Sequence, residues 1–384
     1  MDRLLAHAAA GQAAVVRLLR ELVECESPSG DAAAVTRFTE LLIAKTAGLA
    51  KAKTFAAGPR GRLLRLDFGL PGPRRKKPGR ILGVGHSDTV WPVGTLKSMP
   101  FRERGGRLWG PGVLDMKAGL AFFIEAMRAL RELDIPVARP VSLWTVSDEE
   151  VGSEHSRART EALAKECAAV LVLEPGTGLE GWAKTARKGV GGYTVRVRGK
   201  ASHAGVDFAA GASAILELAR QVERIAGFTD LRRGVTVNPG VIRGGTRTNV
   251  VAAEAAVEVD IRISRVRDFP ALDRKFRALT PVDRRCSIAV EGGLNRPPME
   301  RTRGVVQLFG IARRIAARRL GVELRESATG GGSDGNFIAA LGVPVLDGIG
   351  GVGEGAHAEN ECILVNRIAD RTALLAHVVA HLGQ

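Results

Sequence analysis

"PVSLWTVSDEEVGS", residues 140–153, runs an apolar stretch straight into three consecutive acids. A continuous Val/Leu run between helical patterns reads as a strand buried on both faces of a sheet. The acids that follow, Asp148, Glu149 and Glu150, repel one another, so some positive charge has to hold them together. For an isolated acidic triplet, a solvated turn after a strand is answer enough.

The surrounding sequence supplies a context. LLRLDFG at 63–69, RILGVG at 80–85 and AAVLVLE at 168–174 repeat the strand pattern, and helical patterns at 118–133 and about 157–166 separate them. Strands alternating with helices predict an open α/β sheet, largely parallel, with ligand sites beyond the carboxyl ends of its strands. Near Lys188 the pattern changes. In GYTVRVRGK, Tyr193, Val195 and Val197 alternate with Thr194, Arg196 and Arg198, a strand with one apolar and one wet face. A helix at 212–228, strands at 234–245 and 255–264, a helix at 268–279 and a strand at 286–293 complete the order βαββαβ of a ferredoxin-like α+β sandwich. After Pro297 the α/β character resumes with a helix at 303–320, a short strand at 343–348 and a closing helix near 366–382. The expected organisation is a domain of 1–187 and 298–384 with a second domain, 188–297, inserted into it.

The chain has 384 residues, 45% of them hydrophobic, enough for two domains with substantial cores. No apolar stretch reaches the roughly 18 residues of a membrane span, and the opening MDRLLAHAAAGQAAVVRLLRELVE reads as one amphipathic helix, so a soluble, cytoplasmic protein with no membrane partner is expected. Cys25, Cys167, Cys286 and Cys362 form no CxxC pair, which argues against a cysteine zinc site and against a disulfide framework. A formal charge of +15 suits nucleic acid, an acidic substrate or simply a basic soluble enzyme. Aromatics are scarce at 4%, and the one dense basic run, PRRKKPGR at 73–80, sits between turn formers, so nucleic-acid binding is disfavoured.

The residues after the strands are able to do chemistry. His86 and Asp88 follow the strand at 80–85, and the Asp88 carboxylate is placed to accept a hydrogen bond from the second imidazole nitrogen, leaving the other for a metal. Asp115 arrives from a Gly/Pro-rich loop at the start of a helix, where a plain N-cap is the bland alternative. Glu150 follows the strand at 140–146, Glu174 ends the strand at 168–174, and His357 lies in the glycine-rich GIGGVGEGAHAENE. Each alone reads as a cap or a solvated side chain, but one shared site explains them together. Imidazole and carboxylate ligands without cysteine suit zinc or another divalent first-row ion. Five such ligands exceed one tetrahedral zinc and suit two ions about 4 Å apart sharing a carboxylate.

With these residues in place the chain resembles the dinuclear zinc hydrolases that include glutamate carboxypeptidase, acetylornithine deacetylase, succinyl-diaminopimelate desuccinylase and aminoacylase, most closely the first. The resemblance runs in order through HSDTV, GPGVLDMKAG, SDEEVGS, LEP, GKASHAG, GGGSD and GAHAENE. It implies a zinc-peptidase-type catalytic domain with a mixed, largely parallel sheet, and an inserted lid and dimerisation domain. It further implies two Zn2+ ions per subunit, with Co2+ or Mn2+ as alternatives. Asp115 would bridge them, His86 and Glu174 would complete one site, and Glu150 and His357 the other. Glu149 would be the general base, moving a proton from a metal-bridging water to the leaving amine. His203 would reach across a homodimer interface to the oxyanion, and Asn249 and Arg262 would hold the oxyanion side and the substrate carboxylate. The backbone at Gly331, Gly332 and Ser333 is a further carboxylate site, and Arg296 lies near another. The expected activity is hydrolysis of an amide bond in a small peptide or N-acyl amino acid, foremost release of a C-terminal amino acid such as glutamate. A deacylase of N-acetyl or N-succinyl amino acids is the alternative, and a non-catalytic or nucleic-acid-binding protein ranks below both. Asp148 is assigned no role.

Overall fold

All six residues of Val141–Val146 are buried in a computed structural model that describes residues 2–384. By internal packing the chain divides into two units. One comprises Met1–Ala186, Arg301–Ala328 and Ser333–Gln384, the other Arg187–Glu300 and Thr329–Gly332.

The first unit opens with helices α1 (Arg3–Ala10), α2 (Gln12–Glu24) and α3 (Ala32–Lys45). The single opening helix expected from the sequence is therefore two, divided at Gly11, whose backbone closes the end of α1. Strands β1 (Ala50–Ala56), β2 (Arg62–Phe68), β3 (Arg80–His86), β4 (Arg102–Arg104) and β5 (Arg107–Trp109) follow, then α4 (Ala118–Glu132), β6 (Val141–Val146), α5 (Arg157–Ala164), β7 (Cys167–Val172) and β8 (Ala183–Arg187). PRRKKPG forms no regular structure and is mostly exposed.

The second unit consists of β9 (Gly189–Arg198), α6 (Ala214–Ala226), β10 (Thr236–Gly244), β11 (Glu254–Ile263), α7 (Phe269–Arg277) and β12 (Ser287–Arg296). Its sheet is antiparallel, in the order β10-β11-β9-β12. Tyr193, Val195 and Val197 turn inward with Leu218 and Ile225 of α6 and Leu272 and Phe276 of α7, as the two-residue alternation requires. Tyr193 stacks on Phe276 with ring centroids 3.8 Å apart, and its hydroxyl donates to Asp273 at 2.6 Å. At the ends of this unit Arg187 and Met299 exchange both backbone hydrogen bonds, at 3.0 and 3.1 Å.

The remainder of the chain forms α8 (Arg303–Ile315), β13 (Glu326–Thr329), α9 (Asp334–Ala340), β14 (Val345–Leu346), β15 (Gly353–Glu354), β16 (Cys362–Leu364) and α10 (Ile368–Leu382). The main sheet has the order β1-β2-β6-β3-β7-β14. Its β6, β3, β7 and β14 are parallel neighbours, while β1 and β2 are added antiparallel. It is thus a mixed, largely parallel α/β sheet. Strand β1 escapes sequence reading because AKAKTFA lies on the edge, mostly exposed, and has no apolar run. A second small sheet, β15-β16-β5-β4, escapes it because its strands are two or three residues long. Helix α8 ends at Ile315 rather than 320 and widens into a π-type turn over Ala316–Leu320.

Helix α4 is buried along most of its length, with α1 and α10 among its neighbours in the core. Gly119 lets it approach the end of β7: a methyl group there would lie 1.9 Å from the Leu173 carbonyl oxygen. No helix among the described residues is long and apolar enough to cross a membrane.

Candidate metal centre

Strand register brings the acids and histidines of the first unit together. β3 and β7 pair in parallel with Val84 opposite Val172. Two residues further along each chain come His86 and Glu174, on the same side of the sheet. On the other flank of β3, Val146 lies opposite His86, so Asp148, Glu149 and Glu150 leave the sheet beside it. Asp115 comes from the loop between β5 and α4, and it is not the N-cap, which is Lys117. His357 sits in the loop between β15 and β16 with φ +63°.

Asp115 lies between the two histidines. Its Oδ1 is 3.2 Å from His86 Nε2 and its Oδ2 is 3.3 Å from His357 Nε2. Glu174 Oε1 stands 3.6 Å from His86 Nε2, and Glu150 Oε2 3.2 Å from His357 Nε2. Donor atoms of His86, Asp115 and Glu150 lie within 4.8 Å of one another, as do those of His86, Glu149 and Glu174. Glu150 Oε1 is buried and has no hydrogen-bond partner. Such an orphaned carboxylate oxygen costs free energy unless a cation meets it. The donor set fits divalent ions: Asp115 would serve both, His86 and Glu174 would hold one, and Glu150 and His357 would hold the other.

The field of the acids acts on both imidazoles. Burial alone would lower the His86 pKa, but its hydrogen bonds to the Asp115 and Glu174 carboxylates outweigh it and hold it well above the ordinary value. Asp115 and Glu150 push His357 up to about 10. Burial works against ionisation of Asp115, yet its hydrogen bonds to His357 and His86 hold the carboxyl below the usual range. In the metal-free protein the acids therefore favour the doubly protonated form of both rings, and the Nε2 proton has to leave for a metal to bind there. His357 stabilises the metal-free fold fully below its unfolded pKa of about 6.5, and that contribution is lost as pH rises through about 10. Metal affinity runs the other way. With one imidazole proton released at each ion, the affinity for each ion should rise on the order of 10-fold per pH unit near neutrality. Zn2+ titration calorimetry in buffers of different ionisation enthalpy checks the proton count. A heat independent of buffer would contradict it.

Asp88 departs from expectation. Its backbone carbonyl, not its carboxylate, accepts from His86 Nδ1 at 2.8 Å, while Oδ1 is 3.6 Å from that nitrogen. The ring is still fixed with Nε2 toward the site. The carboxylate is taken up elsewhere, accepting from Ser29 Oγ at 2.7 Å and from the backbone N–H of Glu149 and Glu150 at 3.3 Å each. Burial pushes it up to about 6. Asp148, without a role in the sequence reading, is fully buried and accepts from the backbone N–H of His155 at 2.7 Å and of Ser156 at 3.3 Å. It anchors the turn that presents its two neighbours.

His203 is exposed, and its Nδ1 accepts from the backbone N–H of Gly205 and Val206 at 3.1 and 3.2 Å. That assigns the proton to Nε2, which is left as an outward donor. Asn249 is its neighbour through a bridge between His203 and Val250, and its carbonyl accepts from Ala204 N–H at 3.0 Å. Arg262 does not present a free fork. Asp260, two residues away on the same face of β11, holds its Nε and Nη2 at 2.9 Å, and Nη1 reaches the Gly330 carbonyl at 3.3 Å. Arg296 is buried, packed beside Gly332 and Val190. The carbonyls of Gly331 and Gly332 accept from Arg187 at 3.2 and 3.1 Å. Ser333 does not offer a free N–H: Asn336 Oδ1 accepts it at 2.9 Å, and its hydroxyl donates to Asp347 at 2.8 Å, because it caps α9.

Two buried groups near Asp115 were missed by the sequence reading. Lys117 donates to the Cys25 carbonyl at 3.0 Å, and burial pulls its pKa down to about 8. Glu361 lies within GAHAENE, where a charged residue after a glycine-rich turn reads as solvated, yet it is fully buried. A groove of about 800 Å³ lies on the second unit, lined by Arg196, Arg198, Arg243 and Glu254 among others. Its arginines are ion-paired with Glu291, Glu254 and Glu258 at 3.7, 3.8 and 3.2 Å, and it has none of the donors of the metal centre.

Comparison with known proteins agrees with this chemistry. The chain is 29% identical over 384 residues to carboxypeptidase G2 of Pseudomonas sp. (strain RS-16), covering 97% of this chain and 90% of that protein. It is 31% identical over 304 residues to succinyl-diaminopimelate desuccinylase of Azoarcus sp. (strain BH72), covering 74% and 78% of the two chains. The crystal structure of aminopeptidase PepT from Bacillus cereus superposes with a TM-score of 0.80 at 26% identity, over 97% of this chain and 99% of that one. Residues 83–381 match the profile of peptidase family M20/M25/M40, and the chain belongs to that metallopeptidase family.

Proposed function

We propose that the protein is a two-zinc carboxypeptidase that releases a C-terminal amino acid, such as glutamate, from a small peptide or N-acyl conjugate. The observation that carries the hydrolytic reading is Asp115, with one oxygen toward His86 and the other toward His357. Two divalent ions bound there supply Lewis-acid polarisation of the scissile carbonyl and acidify the attacking water. Glu149, whose carboxylate lies within 4.8 Å of donor atoms of His86 and Glu174, takes the proton of that water and passes it to the leaving amine. The Nε2–H of His203 donates to the oxyanion of the tetrahedral intermediate, supplied across a homodimer interface. Exposed Ile215 and Leu216 on α6 and Ile242 on the edge strand β10 are apolar surface suited to such an interface. The inserted unit serves as lid and dimerisation domain. Arg262 grips the substrate carboxylate after exchanging Asp260 for it, since both are acceptors for the same fork.

Similarity to carboxypeptidase G2 along nearly the whole chain favours the carboxypeptidase over the deacylase, because similarity to the desuccinylase covers only 74% of it. The test is a panel of dipeptides, glutamyl amides, and N-acetyl and N-succinyl amino acids, assayed with Zn2+-loaded protein. Release of the C-terminal amino acid from peptides or glutamyl amides is expected. Turnover confined to the N-acyl amino acids would replace this reading with the deacylase. In the same assay His203→Ala should lower kcat on the order of 10²–10³-fold, as loss of one oxyanion donor does.

A further inference from the structure

Glu361 spends every acceptor site of its carboxylate on one task. Oε2 accepts from Trp91 Nε1 at 2.8 Å and from Gly112 N–H at 2.9 Å. Oε1 accepts from Leu114 N–H at 2.8 Å and from Asp115 N–H at 3.0 Å. Those four N–H donors use the four lone-pair directions of a carboxylate, so the group has no capacity left for a metal. Its donors come from two separate loops. Trp91 is five residues beyond His86, and Gly112, Leu114 and Asp115 belong to the loop that delivers Asp115. Glu361 itself ends the loop of His357, and the Ala358 carbonyl accepts its N–H at 2.9 Å.

The small sheet explains how one side chain reaches three loops. Cys362 pairs with Trp109, so β16 and β5 run side by side and the loop before the first meets the loop after the second. Glu361 stands at that meeting point, where Gly110 N–H also reaches its carbonyl at 3.4 Å. The backbone departs from helical geometry on either side of this stretch, at Gly112, with φ +70°, and at Asp115, with φ −112° and ψ 94°. The N–H groups of Gly112, Leu114 and Asp115 converge on the one carboxylate, while that of Val113 goes to the Gly110 carbonyl at 3.2 Å.

We propose that Glu361 is a positioning residue of the metal centre, holding the loops of His86, Asp115 and His357 in one register so that Asp115 can face both histidines. The proposal rests on the two-ion reading of this site. Its consequence is a pre-set geometry: the loops are fixed before an ion arrives, and binding does not have to order them.

The experiment is Co2+ titration of the metal-free chain, followed by visible absorption, with wild type and Glu361→Gln compared. Wild type should take up two ions; uptake of fewer would remove the two-ion reading itself, independently of Glu361. Glu361→Gln places an NH2 group against two of the N–H donors. A folded variant should lose on the order of 10–100-fold in Co2+ affinity and show an altered Co2+ spectrum. Glu361→Asp, which restores the charge on a shorter stem, should recover part of both. Two ions bound by Glu361→Gln with wild-type affinity and spectrum would overturn the proposal. Should Glu361→Gln fail to fold, Trp91→Phe decides, since it removes only the tie to the His86 loop. A several-fold weaker Co2+ titration supports the clamp, and an unchanged one refutes it.

Discussion

Glu149→Gln is expected to lower kcat on the order of 10²–10⁴-fold while the protein still binds two metal ions. Glutamine keeps the size and the dipole of the side chain but cannot accept a proton. The backbone of Glu149 is held independently of its side chain, through the N–H accepted by Asp88 at 3.3 Å, so the turn should survive the change. Its neighbour Glu150 faces His357 and keeps its place in the centre. Metal analysis paired with steady-state kinetics separates the roles of the two adjacent acids. A variant that turns over normally would remove Glu149 as the base, and one that loses a metal would make it a ligand instead.

Asp115→Ala should have the opposite signature, with metal lost first and activity following. Both oxygens of Asp115 are committed, each to a different histidine, so its removal takes a donor from both halves of the centre at once. Metal content should fall from two ions to at most one, with affinity reduced by more than the roughly 10–100-fold typical of changes outside the ligand sphere. The histidines report the same loss. The hydrogen bond that His357 donates to Asp115 is the leading cause of its raised pKa, so in the metal-free variant that ring should titrate closer to its ordinary range. An NMR pH titration of the metal-free variant measures this directly. Two ions bound as in the wild type, with His357 unmoved, would show that Asp115 does not bridge.

How much of this could be read from the residues depended on burial. Strands β3, β6 and β7 were legible because both faces are covered and the sequence becomes a continuous apolar run. Strand β1 has Lys51 and Lys53 in an exposed edge and gave no such run. The candidate site residues drew attention for a related reason, since His86 ends a buried strand and Glu150 and Glu174 stand just past two others, where an acid or imidazole has no packing role. Atom-level detail was not. A residue two positions past a histidine offers both a carbonyl and a carboxylate, and nothing in HSD tells which the ring will choose. Glu361 was hidden by its setting, because burial of a charge after a glycine-rich turn depends on donors brought from residues 91 and 112–115. The pairing of Arg262 with Asp260 was readable in principle, as residues two apart in a strand share a face.

The interruption of the first unit by the second has a consequence for synthesis. His86, Asp115, Glu150 and Glu174 all leave the ribosome before the inserted segment, whereas His357 and Glu361 leave it after that segment is complete. Strand β14, the partner of β7 in the main sheet, is equally late. A chain still lacking the segment after the inserted unit therefore has four of these residues without the second imidazole and without the carboxylate that ties the loops.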